Sequence, residues 1–375
     1  MSENALTLTG VNKVYNPRSR RPVHAVVDLD LSVTRGEIVA LLGSSGCGKT
    51  STLRMIAGFE GVTSGSIALA GREIHRLAPA RRNVAMAFEG YSLYPPLTVR
   101  ENIAFALKSA RLSREEVRRR VDEMAALLDM SSELERYPSS ISGGQQQRAG
   151  LGRALIRDAD LTLLDEPMGQ LEPQLRAHLR GRIKHFIKDR GLTAILVTHD
   201  QTEANALADR IAVMEGGLLQ QFDTPERLKD RPTNLFTGTF IGEPPMNVFD
   251  ATAVVGGSDI VFQLSEGVRL TYDEAAFSPD LREVILGKAQ VTLGVRPHAV
   301  RISGDGAAAR VYANQWLGDQ THLAAHFAGG SIVSVHHQRI NQEKGETVNL
   351  TVDASDLHVF DTETGAAISH GGALA

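Results

Sequence analysis

The sequence predicts an α/β domain with a largely parallel sheet and a helical insertion, followed by a smaller all-β, barrel-like domain. Short apolar runs of buried-strand length alternate with helix-period segments over the first two-thirds of the chain. The stretch 91–157 interrupts that alternation with mostly helical patterning. After Asn234 helix signals become scarce, and short β-like runs alternate with Gly-rich turns.

The runs "EIVALLG" (37–43), "LTLLDE" (161–166) and "TAILVTH" (193–199) read as buried strands, each ending in polar residues. Between the last two, Leu175, Leu179, Ile183, Phe186 and Ile187 recur at helical spacing, with Pro173 near the start and Gly191 at the end. Strand, helix, strand at this spacing implies right-handed crossovers and parallel pairing. "IAVMEGGLLQQF" (211–222) reads as a hairpin turning on Gly216 and Gly217. Within the insertion, Val117, Val121, Met124 and Leu128 form one apolar stripe, a packing surface. "DIVFQL", "QVTLGV", "HLAAHF" and "SIVSVHH" are the strand candidates of the second domain. The expected domains are 1–234 and 235–375, joined through "KDRPTN" (229–234) as linker.

The 375 residues suggest two or three domains, with ample chain for a full core. A net charge of −4 carries no footprint for nucleic acid, and the basic runs at 18–21 and 118–120 read as a solvated loop and a helix face. The N-terminus lacks the basic-then-apolar order of a secretory signal. No apolar run approaches the roughly 20 residues that span a bilayer. One cysteine, Cys47, excludes an intramolecular disulfide and fits a reducing compartment. The chain is expected to be soluble and cytoplasmic, with any membrane role exercised through a partner.

Chemistry begins at "GSSGCGKT" (43–50), which satisfies G-x-x-x-x-G-K-[ST] directly after an apolar strand. Such glycines let backbone N–H groups surround phosphate oxygens. Lys49 is expected to neutralise the β- and γ-phosphates and Thr50 to ligate Mg²⁺, while the following helix points its positive end at the anion. Gly43, Ser44, Ser45, Gly46, Cys47, Gly48, Lys49, Thr50 and Ser51 form the candidate ATP-binding loop, with Cys47 a packing residue. In "LTLLDE", Asp165 suits the Mg²⁺ shell, and Glu166 is placed to orient or deprotonate the attacking water. Taken alone, a strand ending in Asp-Glu could equally be a helix cap.

"SSISGGQQQR" (139–148) resembles the signature of the ATP-binding-cassette family in Ser142, Gly143, Gly144 and Gln145, with Ile141 in the usual leucine place. The resemblance implies a P-loop NTPase cassette with a helical subdomain, in which this signature faces the γ-phosphate bound by another subunit. It also implies His199 of "VTHD" as the γ-phosphate switch residue and Tyr15 as the ring stacked on adenine; a core tyrosine is the alternative. "TGTFIGEPPMNVF", "LGVRPHAVRI" and "GETVNLTVDASDLHVFD" look like the C-terminal OB-like β-domain of importer ATPases of the maltose and glycerol-3-phosphate type. There the family commonly writes Glu-His after "GVRP", where this chain has His298 and Ala299. Trp316 is expected in the β-domain core.

Two further departures fall in the site loops. The resemblance implies that the turn containing Glu89 in "AFEGYSLYP" is the family's glutamine loop, whose amide oxygen approaches Mg²⁺; against that amide Glu89 keeps an oxygen at the same reach, loses an N–H₂ donor and gains a charge. "DEPMGQLE" places Glu172 and Gly169 where the family writes aspartate and serine. With Lys49, Asp165, Glu166 and His199 retained, these changes are expected to retune the site, leaving hydrolysis intact.

The implied function is the ATP-hydrolysing subunit of a membrane importer for a sugar, polyol or glycerol-phosphate-like solute. Its implied partners are transmembrane permease subunits, a second cassette (identical or different) and a solute-binding protein, with no nucleic acid; it would act peripherally on the cytoplasmic face of the inner membrane. The alternatives are an importer ATPase for polyamine, iron or sulfate, a soluble cassette acting on nucleic acid or ribosomes, and a mainly ATP-binding regulatory partner.

Overall fold

In the computed structural model, which describes residues 4–90 and 93–371, the chain opens with two long antiparallel strands, β1 (Asn4–Tyr15) and β2 (Val23–Thr34). β3 (Ile38–Gly43) follows, buried at every position, and leads through the phosphate loop into α1 (Lys49–Ala57). Then come β4 (Ser64–Leu69), β5 (Arg72–Glu73) and β6 (Val84–Ala87). The insertion carries α2 (Val99–Ala104), α3 (Arg114–Leu127) and α4 (Gly143–Leu155); its expected first residue, Tyr91, lies outside the described residues. β7 (Leu161–Asp165), α5 (Pro173–Asp189), β8 (Ala194–Val197) and α6 (Gln201–Leu207) restore the alternation, and β9 (Arg210–Glu215) with β10 (Leu218–Asp223) forms the hairpin.

These strands build two sheets. One is antiparallel, in the order β2-β1-β4-β5; the other runs β10-β9-β3-β8-β7-β6, parallel from β9 to β6. Leu6, Leu8 and Ile67 of the first sheet share one core with Val39, Leu41, Leu163 and Ile195 of the second and with Leu53 and Ile56 of α1. Each such side chain contributes about 1.5–3 kcal/mol by leaving water. α5 buries Leu179, Ile183 and Ile187, and the insertion buries Val121, Met124 and Leu128, as the helical spacing required. Arg82 is also buried: its guanidinium donates to the Met55, Ile56, Leu77 and His75 carbonyls at 2.6–3.0 Å, so the last turn of α1 is not left with orphaned acceptors.

The chain divides into two units after Pro225. Segment 226–234, expected with the first domain and in part as a linker, counts with the second. Helix α7 (Pro225–Asp230) runs across the division, and Asn234 caps α8 (Leu235–Phe240) through its side chain. A third helix, α9 (Pro279–Leu286), was not foreseen; its N-cap is Ser278, with Pro279 at the first helical position.

The remaining strands are β11 (Asn247–Gly256), β12 (Asp259–Gln263), β13 (Arg269–Asp273), β14 (Val291–Val295), β15 (Arg301–Trp316), β16 (Thr321–Phe327), β17 (Gly330–His336), β18 (Thr347–Thr351), β19 (Leu357–Asp361) and β20 (Ala367–Ser369). They form the sheets β13-β12-β11-β14-β19-β20 and β17-β16-β15-β18, whose inner faces share one core around Phe262, Leu293, Leu323 and Val359. Trp316 is not in that core. It ends β15 at a hairpin and is 42% exposed, because the strand runs past the buried part of its sheet.

Candidate functional site

Parallel strands deliver the candidate residues to one sheet edge, because ligand sites in such sheets form outside the carboxyl ends of the strands. β3 ends at Gly43 and opens the phosphate loop; β7 ends at Asp165 with Glu166 next; β8 is followed by His199; β6 is followed by Glu89; and β9 ends at Glu215. Segments as distant in sequence as 43 and 215 therefore converge.

The phosphate loop is shaped by two close approaches. A Cβ on Gly43 would stand 2.1 Å from the Met214 carbonyl oxygen, and one on Gly48, where φ is +105°, 2.3 Å from that of Ala25. Gly48 is also the N-cap of α1 and offers no side-chain cap. The first-turn N–H groups of α1 thus stay free of side-chain acceptors, the condition for receiving an anion. The buried Lys49 ammonium donates to the Gly43 and Ser44 carbonyls, each at 2.8 Å. Ser44 Oγ donates to Glu215, while Ser45 and Gly46 are exposed at the tip. Cys47 is buried, and burial pushes its thiol pKa up, consistent with packing. Tyr15 is half-buried and thus no core residue: its hydroxyl lies 3.1 Å from Ser51 Oγ, and the Lys13 ammonium stands 4.6 Å from its ring centroid.

Asp165 is 3% exposed, and its Oδ1 has no hydrogen-bond partner among the described residues. Its carboxyl is pushed up to about 6, first by burial, then by the negative charge of Glu89, with Glu166 adding and Arg54 opposing. A buried, orphaned carboxylate oxygen facing further negative charge is a fitting environment for a hard cation. Among the described residues no group of three or more His, Cys, Asp or Glu is arranged to hold a metal. Thr50, Asp165 and Glu89, expected together as Mg²⁺ ligands, therefore do not make a complete cage and suit a cation that also takes phosphate oxygens.

Glu166 adopts φ +45°, left-handed backbone that is strained for a non-glycine residue. Its amide donates to the Val197 carbonyl at 2.9 Å, and its carboxylate lies 3.0 Å from Nδ1 of the exposed His199. Gln147, missed from the sequence, braces this turn: Nε2 donates to the Glu166 carbonyl at 2.8 Å, and Oε1 accepts from the Gln170 amide at 3.0 Å. The signal was available, since two residues past Gln145 a helix has turned by about 200° and faces inward. Arg176, also missed, donates to the Gly169 and Leu171 carbonyls and pairs with Asp200 at 3.0 Å.

Ser142 is the N-cap of α4 in a complete capping box: its hydroxyl accepts from the Gln145 amide at 3.3 Å, and the Gln145 side chain accepts from the Ser142 amide at 2.8 Å. Gly143 and Gly144 open the helix. A Cβ on Gly144 would meet the Gln170 carbonyl at 3.2 Å and Leu171 at 3.3 Å, so the signature packs directly on the loop containing Gly169 and Glu172. Glu172 precedes α5, is exposed and makes no cap hydrogen bond; Glu89 is likewise exposed.

Residues 26–169 match the model of the ABC transporter family, and residues 293–360 that of the TOBE domain. The chain is similar to the trehalose import ATP-binding protein SugC of Mycobacterium tuberculosis, at 37% identity over 97% of this chain and 98% of SugC. It is also similar to the sn-glycerol-3-phosphate import ATP-binding protein UgpC 1 of Rhizobium johnstonii, at 38% identity over 97% of this chain and 96% of that protein. Among solved structures, the dimeric ATP-binding cassette MJ0796 bound to ADP and Pi superposes with a TM-score of 0.54 at 26% identity, covering 58% of this chain and 98% of MJ0796.

Proposed function

The chain belongs to the ATP-binding proteins of ABC transporters and is an ATPase, and from that premise we propose that it energises uptake of a sugar, polyol or glycerol-phosphate-like solute through a membrane importer. The observation that carries the catalytic reading is the meeting of the phosphate loop, Asp165, Glu166 and His199 at the carboxyl edge of one parallel sheet. The solute class rests on relatives named for trehalose, glycerol-3-phosphate and xylose/arabinose import.

In this reading the α1 N-terminus and Lys49 bind the phosphates of ATP, Tyr15 lies against the base, and Ser51 steadies the tyrosine hydroxyl. Thr50 and Asp165 would hold Mg²⁺, with Glu89 close enough to act on the same charge; the ion supplies neutralisation of phosphate oxygens. Glu166 orients the attacking water and accepts its proton, while His199 fixes the carboxylate from Nδ1. Ser142, Gly143, Gly144 and Gln145 present a helix N-terminus to nucleotide held by a second cassette. Permease subunits and a second cassette complete the assembly, with this chain at the cytoplasmic face of the membrane and a solute-binding protein within the full complex. Among the described residues no helix is long and apolar enough to cross a membrane; in this reading attachment runs through the permease.

Glu166→Gln in the assembled complex tests the assignment. ATP binding should be retained while phosphate release falls by at least 100-fold, because the amide cannot take the proton. Turnover within tenfold of the unaltered complex would remove Glu166 from the catalytic role.

A further inference from the structure

Two side chains tie together the elements around Glu166 without belonging to the phosphate loop or to the four signature residues. Gln147, 7% exposed on α4, brackets the strained turn at two points: it donates to the Glu166 carbonyl at 2.8 Å and accepts from the Gln170 amide at 3.0 Å. Arg176 of α5 holds the same loop through the Gly169 carbonyl at 3.3 Å and the Leu171 carbonyl at 3.2 Å. Its other terminal nitrogen donates to Asp200 Oδ2 at 3.0 Å, on the residue that follows His199. His199 closes the circuit on the Glu166 carboxylate at 3.0 Å.

The turn carrying His199 is held on both flanks. Thr198 Oγ1 donates to Glu203 at 2.7 Å and accepts from the Asp200 amide at 3.0 Å, while Asp200 Oδ1 accepts from the Glu203 amide at 2.9 Å. Burial pushes the Asp200 carboxyl up, but the Glu203 amide and Arg176 outweigh it and keep the group below its ordinary value, ionised at neutral pH. Arg176 stands close to the N-terminus of α5, where the helix dipole disfavours a cation, and its Nε is buried without a partner among the described residues. Neither feature stabilises the helix, so the loop carbonyls and Asp200 fix where the guanidinium sits. A planar guanidinium serves acceptors on two segments only while those segments keep one separation.

We propose that Gln147 and Arg176 are positioning residues that couple this chain's signature helix to its own Glu166–His199 pair, so that nucleotide held at the signature by a second cassette sets the rate at which this chain hydrolyses its own ATP. The inference rests on the catalytic reading of Glu166 and His199. A shift of α4 pulls the Glu166 carbonyl and the Gln170 amide through Gln147. The loop passes that shift to Arg176, and Asp200 converts it into a displacement of His199 against the Glu166 carboxylate. Hydrolysis by paired cassettes is then cooperative in ATP.

The test is a double-mutant cycle in the assembled complex, combining Gln147→Leu with Asp200→Asn. These two residues are not hydrogen-bonded to each other, and asparagine can still cap the Glu203 amide while losing the charge that Arg176 grips. Each change alone should slow phosphate release about tenfold, abolish cooperativity in ATP and leave nucleotide affinity within twofold. The double variant should be slower than either single one by no more than about twofold. An unchanged melting curve certifies each fold, and Arg176→Met replaces a single variant that fails this check. Multiplied effects of about 100-fold in the double variant, retained cooperativity, or nucleotide affinity lost together with rate would reduce the residues to structural braces and overturn the proposal. Glu166→Gln measured in parallel separates the two readings: turnover surviving there removes the catalytic assignment, whereas its loss beside multiplied Gln147 and Asp200 effects removes the coupling alone.

Discussion

Glu89→Gln isolates the charge that distinguishes this site. The Asp165 carboxyl rises from 3.8 to about 6, with burial the larger cause and Glu89 the second. That rise corresponds to roughly 3 kcal/mol in all, and the Glu89 part is smaller than that of burial. Because Glu89 is exposed, solvent screening trims its field at the site to about 1 kcal/mol per unit charge. Acting on a divalent ion the same field is worth about 2 kcal/mol, or roughly 10- to 30-fold in an equilibrium constant. The ratio of ATP dissociation constants measured in chelator and in Mg²⁺ should therefore be about tenfold larger for the unaltered chain than for Glu89→Gln. Metal-free binding should tighten in the variant, and saturated binding should change little. Fluorescent-nucleotide titrations at fixed ionic strength read both constants. Equal ratios for the two proteins would show that Glu89 does not act on the metal–phosphate charge.

Gly144→Ala and Gly169→Ala should diverge. The first presses on the Gln170 carbonyl at 3.2 Å and should impair ATP-driven pairing of cassettes, whereas the second meets nothing closer than Glu166 at 3.5 Å and should pair normally; light scattering with ATP on a Glu166→Gln background checks both. For acid stability, His358 titrates near 6.5 when unfolded but at about 3 when folded, so the unfolded chain binds the extra proton. Stability is full above about pH 6.5 and falls as pH drops toward 3, by about 2 kcal/mol between pH 7 and 5; denaturant melts of the unaltered chain and His358→Leu should show a shallower loss in the variant.

The candidate edge was legible because its residues are carried by contiguous motifs, each attached to an apolar strand whose period and length are plain. β3, β7, β8 and α5 fall where the runs at 37–43, 161–166 and 193–199 and the spacing from Leu175 to Ile187 put them. Less was legible where the controlling contact is long-range. Arg82 reads as one of several surface arginines until α1 is placed beside it, and Gln147 reads as part of a polar signature until its helix face is known. Trp316 was misassigned because hydrophobicity fixes a preference for burial but not where a strand outruns its sheet. α9 carries its N-terminal signal in Ser278 and Pro279, but only eight residues of periodicity follow, too few to stand out among strands.

The two glycine-opened helices of the first unit are built differently, and the difference implies an order of events. α1 begins at Gly48 with no side-chain cap, so its first-turn donors await an anion. α4 begins at Ser142 with both halves of a capping box made, so its first turn is already partly satisfied. A phosphate meeting α1 gains hydrogen bonds without displacing an internal side-chain cap; one meeting α4 is left the remaining N–H groups and the Ser142 hydroxyl proton. The α1 end should therefore take nucleotide first and most tightly. On the proposed reading the α4 end should add its smaller share only once a second cassette brings it within reach, which would make pairing the consequence of binding. The same asymmetry suits the departures of Gly169 and Glu172 from the family pattern: they lie in the loop beneath α4, away from the Lys49 ammonium and the loop it closes, so the α1 end should keep its grip on ATP whatever they do to α4.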